Sequence, residues 1–411
     1  MTRERVDLLL VRAGQLVTLA GPARPRAGRE QGELAIIPDG AVAVSRGRIV
    51  DAGPTKALRA RYAAKEVVDV RGAVVTPGLV DPHTHAVFAG SREREFEARA
   101  AGATYRQIAE AGGGILSTVE ATRRASKADL LRGAKARVAA MLAQGTTTVE
   151  IKSGYGLTAR DEIKSLEAAR AVGGIPTYLG AHAVPRGRGS AAYVKEVVAT
   201  LPRVKRLARF CDVFCEPGAF SLAESRRVLE AAKRAGLGLK IHAEEFEASG
   251  GAELAAELGA VSADHLMAVT DRGIAALARA GTIAVLLPGT SVFLGGDRVA
   301  PARALIAAGV PVALGTDCNP GSCTATGLPL VMTLATARLR MSPAEALAAV
   351  TVNAAWACGE GARAGTIEAG KRADLVVWSV RDYREIPYWF GATLAGRVFR
   401  AGRSCIPPAA R

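Results

Sequence analysis

Eight short apolar segments alternate with alanine-rich stretches of helical periodicity through the middle of the 411-residue chain. Each apolar segment has the length of a β-strand, and several alanine-rich stretches end at glycine, which is favoured just after a helix. Eight such repeats predict a parallel (β/α)8 barrel, with a doubly wound open sheet as the alternative. The predicted strands lie at residues 78–85, 146–152, 176–182, 212–216, 238–244, 259–265, 282–288 and 310–317.

The two ends of the chain have a different pattern from the middle. Short runs of Val, Ile and Leu separated by Gly and Pro, which are typical of β-strands, recur in residues 1–75 and 363–411. We therefore expect one small β-sandwich domain built from both ends, 1–75 plus 363–411. The barrel domain is then expected over residues 76–362.

The chain has only five histidines, and each lies at the end of a predicted strand. The C-terminal ends of barrel strands open onto one face, where the active sites of such barrels lie. We therefore expect all five imidazoles to meet at one rim of the barrel. Unrelated core histidines would not all be found at corresponding strand ends. They are His83, His85, His182, His242 and His265.

A metal site is the chemistry that this arrangement favours. His83 and His85 are two residues apart on a strand, so both imidazoles point to the same side. His242 lies on the fifth strand and Asp317 at the end of the eighth, which neighbours the first once the barrel closes. Three imidazoles and a carboxylate suit one divalent ion per chain, Zn²⁺ or Fe²⁺, and such an ion lowers the pKa of water to about 7. Lys152, at the end of the second strand, leaves open a metal pair bridged by a carboxylated lysine.

Composition argues against several other classes of protein. The chain carries 54 Lys and Arg against 39 Asp and Glu, a net charge of +15 that would suit an anionic partner. It has no run of five like charges and only 5% aromatic residues, so we expect no nucleic-acid partner. Six cysteines without CxxC spacing fit reduced thiols. The uncharged apolar stretch 281–296 is shorter than a membrane span, and no signal core is visible. We expect a cytoplasmic protein without membrane contact.

Several motifs carry a resemblance to a known family. The sequence resembles the amidohydrolase superfamily in four motifs, PGLVDPHTH (77–85), IHAEE (241–245), SADH (262–265) and ALGTD (313–317). Within that superfamily, the sequence resembles the imidazolonepropionases in four longer segments, 83–123, 150–157, 178–185 and 315–322. The resemblance implies hydrolysis of the ring carbon–nitrogen bond of 4-imidazolone-5-propanoate to N-formimidoyl-L-glutamate in L-histidine degradation. It also implies a metal-activated water and a homodimer.

The resemblance further implies which residues of this sequence form the site. The metal ligands would be His83, His85, His242 and Asp317. The substrate contacts would be Arg92, Tyr155, His182, Glu245, Asn319, Gly321 and Ser322, and the catalytic residues Glu245, His265 and Asp317. One departure is Cys318, at a position where the family is expected to carry an aromatic residue. Because side chains alternate along a strand, Cys318 should point away from Asp317 and leave these roles intact.

The chemistry of the residues agrees with these roles. The substrate is a planar lactam with a propionate tail, and Arg92 offers a planar guanidinium that can bind a carboxylate through two bonds. The glycine-punctuated segment 93–117 that follows is expected to cover the mouth as a lid. Glu245 can take a proton from water and return it to a ring nitrogen. His182 and His265 can each stabilise the reacting ring, and the sequence does not separate their roles.

Three other functions stay open on the sequence alone. They are a different metal-dependent cyclic amidohydrolase or deaminase, a basic nucleic-acid-binding protein on a degenerate barrel, and a metal-binding barrel without activity. Arg92 argues against a nucleobase substrate, because a nucleobase has no carboxylate to bind. The complete set of five histidines and Asp317 argues against an inactive barrel.

Overall fold

Both ends of the chain contribute strands to one sheet. The computed structural model describes residues 3–103, 107 and 113–406. The strands of this terminal sheet are β1 Glu4–Val17, β2 Ile36–Ser45, β3 Arg48–Pro54, β4 Tyr62–Asp69 and β5 Val74–Pro77, with β14 Leu375–Trp378, β15 Ala395–Arg400 and β16 Arg403–Ile406. β5 joins the two ends because it pairs in parallel with β1 and antiparallel with β14. The small β-domain from both termini is confirmed, and its eight strands are hydrogen-bonded as one sheet.

The terminal sheet is held by apolar side chains on both faces of β1. Leu8 and Leu10 belong to one buried cluster, whereas the residues between and after them, Leu9 and Val11, belong to another. Leu58 of the short helix α1, Thr55–Arg61, packs in the second cluster. This alternation is the period of two that a strand requires. The domain boundaries near residues 75 and 363 stay a prediction.

The middle of the chain forms the predicted barrel. Its parallel strands are β6 Leu79–Asp81, β7 Thr146–Lys152, β8 Ile175–Ala181, β9 Phe210–Cys215, β10 Gly238–Ala243, β11 Ser262–His265, β12 Ile283–Leu286 and β13 Val312–Leu314. Each falls within or overlaps one of the eight predicted segments. The (β/α)8 prediction is therefore confirmed, and the open doubly wound sheet is excluded by the way the ends of the sheet meet.

The two edges of the barrel sheet meet at the C-terminal ends of the strands. Thr84, just beyond β6, forms a parallel bridge with Cys318, just beyond β13. The amide of Asp317 donates to the carbonyl of His83 at 3.0 Å, and the amide of His85 donates to the carbonyl of Cys318 at 3.0 Å. The metal-ligand candidates of the first and eighth strands are thus tied together by their own backbones.

Helices surround the barrel strands. They are α2 Glu93–Ala100, α3 Ile115–Arg124, α4 Lys127–Ala143, α5 Ala159–Ala171, α6 Ser190–Val204, α7 Leu222–Arg234, α8 Gly251–Leu258, α9 Asp271–Ala280, α10 Pro288–Phe293, α11 Ala302–Ala307, α12 Leu328–Leu339, α13 Pro343–Ala349 and α14 Val352–Ala357. A short helix, α15 Glu385–Tyr388, follows β14. Capping boxes at Ser126, Ser221 and Ser342 fix the starts of α4, α7 and α13. Among the described helices, none combines the length and the apolar character that crossing a membrane requires.

The segment that is predicted to act as a lid is described only in part. Residues 104–106 and 108–112 of the predicted stretch 93–117 lie outside the described residues. Within α2, Phe96 packs on Phe293 of α10 with ring centroids 5.2 Å apart. Arg99 donates to the carbonyl of Gly321 at 3.1 Å. These two contacts place α2 beside the mouth of the barrel.

Candidate active site

Four ligand atoms converge at the mouth of the barrel. Asp317 Oδ1 lies 3.5 Å from His83 Nε2 and 3.4 Å from His85 Nε2. The Nε2 atoms of His85 and His242 are 3.5 Å apart. Ligand atoms about 2.1 Å from a tetrahedral Zn²⁺ are about 3.4 Å from one another. His83, His85 and Asp317 therefore have the spacing of a divalent-metal site, and His242 adjoins them through its contact with His85.

The ligand atoms are also free to bind a cation. His83 Nε2 is buried and has no hydrogen-bond partner among the described residues. Burial, first of all, holds the pKa of His83 and of His85 well below the usual range, so both imidazoles are neutral. A buried nitrogen without a partner costs free energy unless a ligand takes its lone pair. The donor set thus fits a divalent metal, and His265 also brings a ligand atom within 4.8 Å of those of His83 and His242.

Two of the histidines are held from behind by carboxylates. His83 Nδ1 is 2.6 Å from Asp264 Oδ2, and His242 Nδ1 is 3.1 Å from Asp212. A carboxylate accepts a hydrogen bond from Nδ1–H, so each imidazole presents the lone pair of Nε2 to the centre of the site. His85 has no such partner among the described residues, because its Nδ1 is buried and unpaired.

Asp317 is oriented by hydroxyl groups. Its Oδ2 accepts a hydrogen bond from Thr290 at 2.7 Å and a longer one from Ser322 at 3.4 Å, which leaves Oδ1 facing the histidines. Its backbone has a φ of 52°, which a residue other than glycine seldom adopts. Such a conformation persists only where the surrounding structure holds it, and it is found most often at functional sites.

A buried ammonium group lies below the histidines. Lys152 Nζ is 2.8 Å from Asp212, 3.0 Å from Glu150 and 3.6 Å from Asp264, and all four side chains are buried. Burial disfavours the charge of Lys152, but the attraction of Asp212, Glu150 and Asp264 outweighs it and raises the pKa of the lysine. Lys152 is therefore a charged partner of carboxylates, which argues against the carboxylated lysine of a bridged metal pair.

Glu245 lies beside the candidate metal ligands, in a loop whose backbone is hydrogen-bonded to Glu216. Glu216 accepts hydrogen bonds from the amides of Glu245, at 2.5 Å, and of Phe246 and Glu247, at 3.4 Å each. Burial, and then the charges of Asp317 and Glu216, raise the pKa of Glu245 well above its usual range. Its Oε2 is 3.7 Å from His265 Nε2. A carboxyl group in this state can both accept and release a proton.

His182 stacks on the site from the third strand. Its ring is 5.0 Å from that of His85 at an interplanar angle of 19°, and 5.3 Å from that of Tyr155. Its Nδ1 donates to the carbonyl of Gly154 at 3.1 Å, since a carbonyl only accepts. Burial, and then His242, lower the pKa of His182 to about 3. The neutral ring therefore presents Nε2 as a hydrogen-bond acceptor.

Arg92 lies between α2 and the turn after Asp317. Its Nη2 is 2.6 Å from Glu95, and its Nε is buried without a partner among the described residues. A Cβ at Gly321 would meet the guanidinium at 2.0 Å, so any larger residue there would displace the guanidinium of Arg92. Asn319 and Ser322 form the turn itself: Asn319 Oδ1 accepts from the amides of Gly321 and Ser322 at 2.8 Å.

All the residues expected at the site therefore lie at one end of the barrel, and the structure adds others. Asp212, Asp264, Thr290 and Glu95 were not among the predicted site residues, although each bonds one that was. A signal for the first two was present, because Asp212 and Asp264 stand in predicted strands as buried charges that a core would not otherwise hold.

Comparisons with known proteins add the family. The model of the amidohydrolase family matches residues 89–387, and that of the bacterial imidazolonepropionase-like composite domain matches residues 40–64. The imidazolonepropionase of Symbiobacterium thermophilum is 50% identical over 97% of both chains, and that of Bacillus velezensis is 45% identical over 98% of both.

Solved structures share the fold at lower identity. An adenosine deaminase from Xanthomonas campestris with bound zinc has a TM-score of 0.74 and 24% identity, covering 99% of this chain and 94% of that one. The guanine deaminase of E. coli has a TM-score of 0.73 and 16% identity, covering 97% of this chain and 98% of that one. At these identities the likeness concerns the fold alone.

Proposed function

The chain belongs to the amidohydrolase family and, within it, to the imidazolonepropionases, and we propose that its barrel mouth hydrolyses 4-imidazolone-5-propanoate to N-formimidoyl-L-glutamate. The observation that carries the proposal is one arrangement of side chains. At the same mouth lie two groups of potential metal ligands that share His83, a buried glutamate, and an arginine whose Nε has no partner among the described residues. A cyclic amide with an anionic tail needs a group of each kind.

His83, His85, His242 and Asp317 would hold the divalent metal, and Zn²⁺ or iron is the identity that we propose. When bound, such an ion acidifies water and polarises a carbonyl group. The neutral state of His83 and His85 and the orientation of Asp317 Oδ1 suit these ligands to the task.

Glu245 is the proton carrier in this proposal. Water adds to the ring carbonyl carbon, the carbon–nitrogen bond breaks, and the proton that leaves the water is returned to the ring nitrogen. Glu245 can do both because its raised pKa lets it hold a proton between the two steps. His265, 3.7 Å from its carboxylate, is placed to orient that group.

His182 and Tyr155 would hold the ring. With its Nδ1 proton committed to Gly154, His182 offers only an acceptor at Nε2. It therefore matches a ring N–H group and not a developing oxyanion, which needs a donor. This separates the roles of His182 and His265, which are alike in the sequence.

Arg92 would bind the propionate. Glu95 accepts from Nη2 of its guanidinium, and the buried Nε on the same edge has no partner among the described residues. A substrate carboxylate at that edge would complete the bonding of the arginine. The homodimer and the cytoplasmic location that the resemblance implies remain parts of the proposal.

The test is turnover of the named substrate. Protein purified with its metal should consume 4-imidazolone-5-propanoate, seen as loss of its absorbance, and mass spectrometry should identify N-formimidoyl-L-glutamate. Guanine and adenosine, offered as controls, should be unchanged. Deamination of either control, with imidazolone propionate untouched, would contradict the assignment.

A further inference from the structure

The proposed reaction gives no task to Lys152, although its place in the barrel is unusual. The side chain is fully buried and carries its charge among three carboxylates from three strands, β7, β9 and β11. A buried charge is costly, and replacing a whole buried ion-pair cluster with apolar residues is often neutral or stabilising for folding. Stability alone therefore gives little reason for an ammonium group at this point.

Two of the three carboxylates connect the lysine to the ligand cluster. Asp264 bonds His83 Nδ1 and Asp212 bonds His242 Nδ1. Lys152 is the ion-pair partner that these two carboxylates share. The third carboxylate, Glu150, touches no histidine and accepts instead from the amide of Thr84 at 3.4 Å.

We propose that Lys152 is a positioning residue for the metal centre, which fixes two ligand histidines at once by holding Asp212 and Asp264 in place. The ammonium group of Lys152 pairs with both carboxylates and keeps each turned toward the Nδ1 atom of its histidine. The Nε2 atoms of His83 and His242 then face the same point. The proposal rests on the metal site described above but not on the identity of the substrate.

A second buried lysine in the barrel, Lys240, shows that the link to the ligand histidines is specific to Lys152. Lys240 is also fully buried in the barrel, but it donates to the carbonyl of Pro82, at 3.1 Å, and the hydroxyl of Ser262, at 3.3 Å, and has no carboxylate partner among the described residues. His85 has no carboxylate behind it, and it lies instead against His182. The two histidines with carboxylates are the two that Lys152 can reach through them.

The experiment measures metal affinity and not turnover. Zn²⁺ binding by wild type and Lys152→Met is compared in competition with a chromophoric chelator. Loss of a group behind a metal ligand lowers affinity by about 10–100-fold, and we expect a loss of that size here. The visible absorption bands of the Co²⁺-loaded proteins should also differ, because the ligand geometry is less well held. Lys152→Gln, which keeps N–H donors to the carboxylates, should lose less.

The control is Lys164→Met. Lys164 donates at 3.0 Å to the carbonyls of Thr122, Arg123 and Ala125 in the helical layer, so its loss should lower the melting temperature and leave Zn²⁺ affinity unchanged. A folded Lys152→Met with wild-type Zn²⁺ affinity and Co²⁺ spectrum would overturn the proposal, even if the enzyme hydrolyses imidazolone propionate.

A second variant keeps the test decisive if Lys152→Met does not fold. Lys152→Met combined with Glu150→Gln removes one cation and the one carboxylate that bonds no histidine, so the net charge of the cluster is preserved. Its Zn²⁺ affinity is compared with that of Glu150→Gln alone. A further loss of about tenfold or more is expected, and equal affinities would overturn the proposal.

Discussion

The interior of the barrel and the core of the terminal sheet are built from opposite kinds of residue. The terminal sheet buries Leu, Val, Ile and Phe side chains, with Leu16, Val42 and Val75 among those fully excluded from solvent. The barrel buries charged side chains just as completely, and Lys152 and Asp264 are examples. The terminal sheet thus buries apolar side chains, whereas the barrel also buries charged ones.

The difference shows what each region is for. An apolar side chain such as Leu stabilises the fold by about 1.5–3 kcal/mol when it is buried. A buried charge must recover a desolvation cost of several kcal/mol from its partners, and the return to stability is small or negative. The charges of the barrel are therefore explained by the ligand geometry that they maintain, whereas the apolar core of the sheet is explained by stability.

The largest effect on activity should come from the proton carrier. Glu245→Gln keeps the shape of the side chain and removes the base, so kcat should fall by about 10²–10⁴-fold. Because burial raises the pKa of Glu245, activity of the wild type should rise with pH as the group loses its proton, at a pH above that of an ordinary glutamate. The variant should lack this rise. Metal content, measured in parallel, should stay normal, and its loss would make Glu245 a ligand instead.

Arg92→Ala should have the next largest effect. Hydrogen bonds to charged groups contribute about 1.5–3 kcal/mol, so kcat/KM should fall by about 10–100-fold. Arg92→Lys should recover only part of this, because an ammonium group lacks the planar fork. The control is a substrate analogue without the carboxylate, which should be poor for both proteins and nearly indifferent to the change. An equal loss on both substrates would show that Arg92 supports the lid instead.

A change in the terminal sheet should leave activity alone. Leu16→Ala removes a fully buried side chain and should cost about 2–5 kcal/mol of unfolding free energy, measured by denaturant titration. Zn²⁺ affinity and kcat/KM below the unfolding transition should match the wild type. Lys152→Met is expected instead to lower Zn²⁺ affinity. A drop in metal affinity in Leu16→Ala would mean that the two regions are coupled.

Much of the fold could be predicted because periodicity encodes it. The segment 146–152 coincides with β7, and 238–244 contains β10. Alternation along a strand places His83 and His85 on one side. It also places Lys240 on the side of His242, and Glu150 on that of Lys152. Part of the barrel interior could therefore be predicted from the sequence.

The pairings across strands could not be predicted in the same way. That Asp264 bonds His83, and that Asp212 bonds His242, depends on the stagger between strands that are far apart in sequence. A sequence pattern gives the face of each strand but not its stagger. His265 is a second case, since alternation would turn it away from Asp264. Its φ of 77° breaks the strand pattern there and lets both side chains reach the site.

The central claim is that the charged interior of the barrel serves one divalent metal held by four side chains. The most direct measurement is the metal content per chain, by elemental analysis, of wild type and of His83→Ala. We expect close to one Zn²⁺ or iron per wild-type chain, little in the variant, and hydrolysis that stops on chelation and returns on reloading. Two ions per chain, or full activity in metal-free protein, would contradict it.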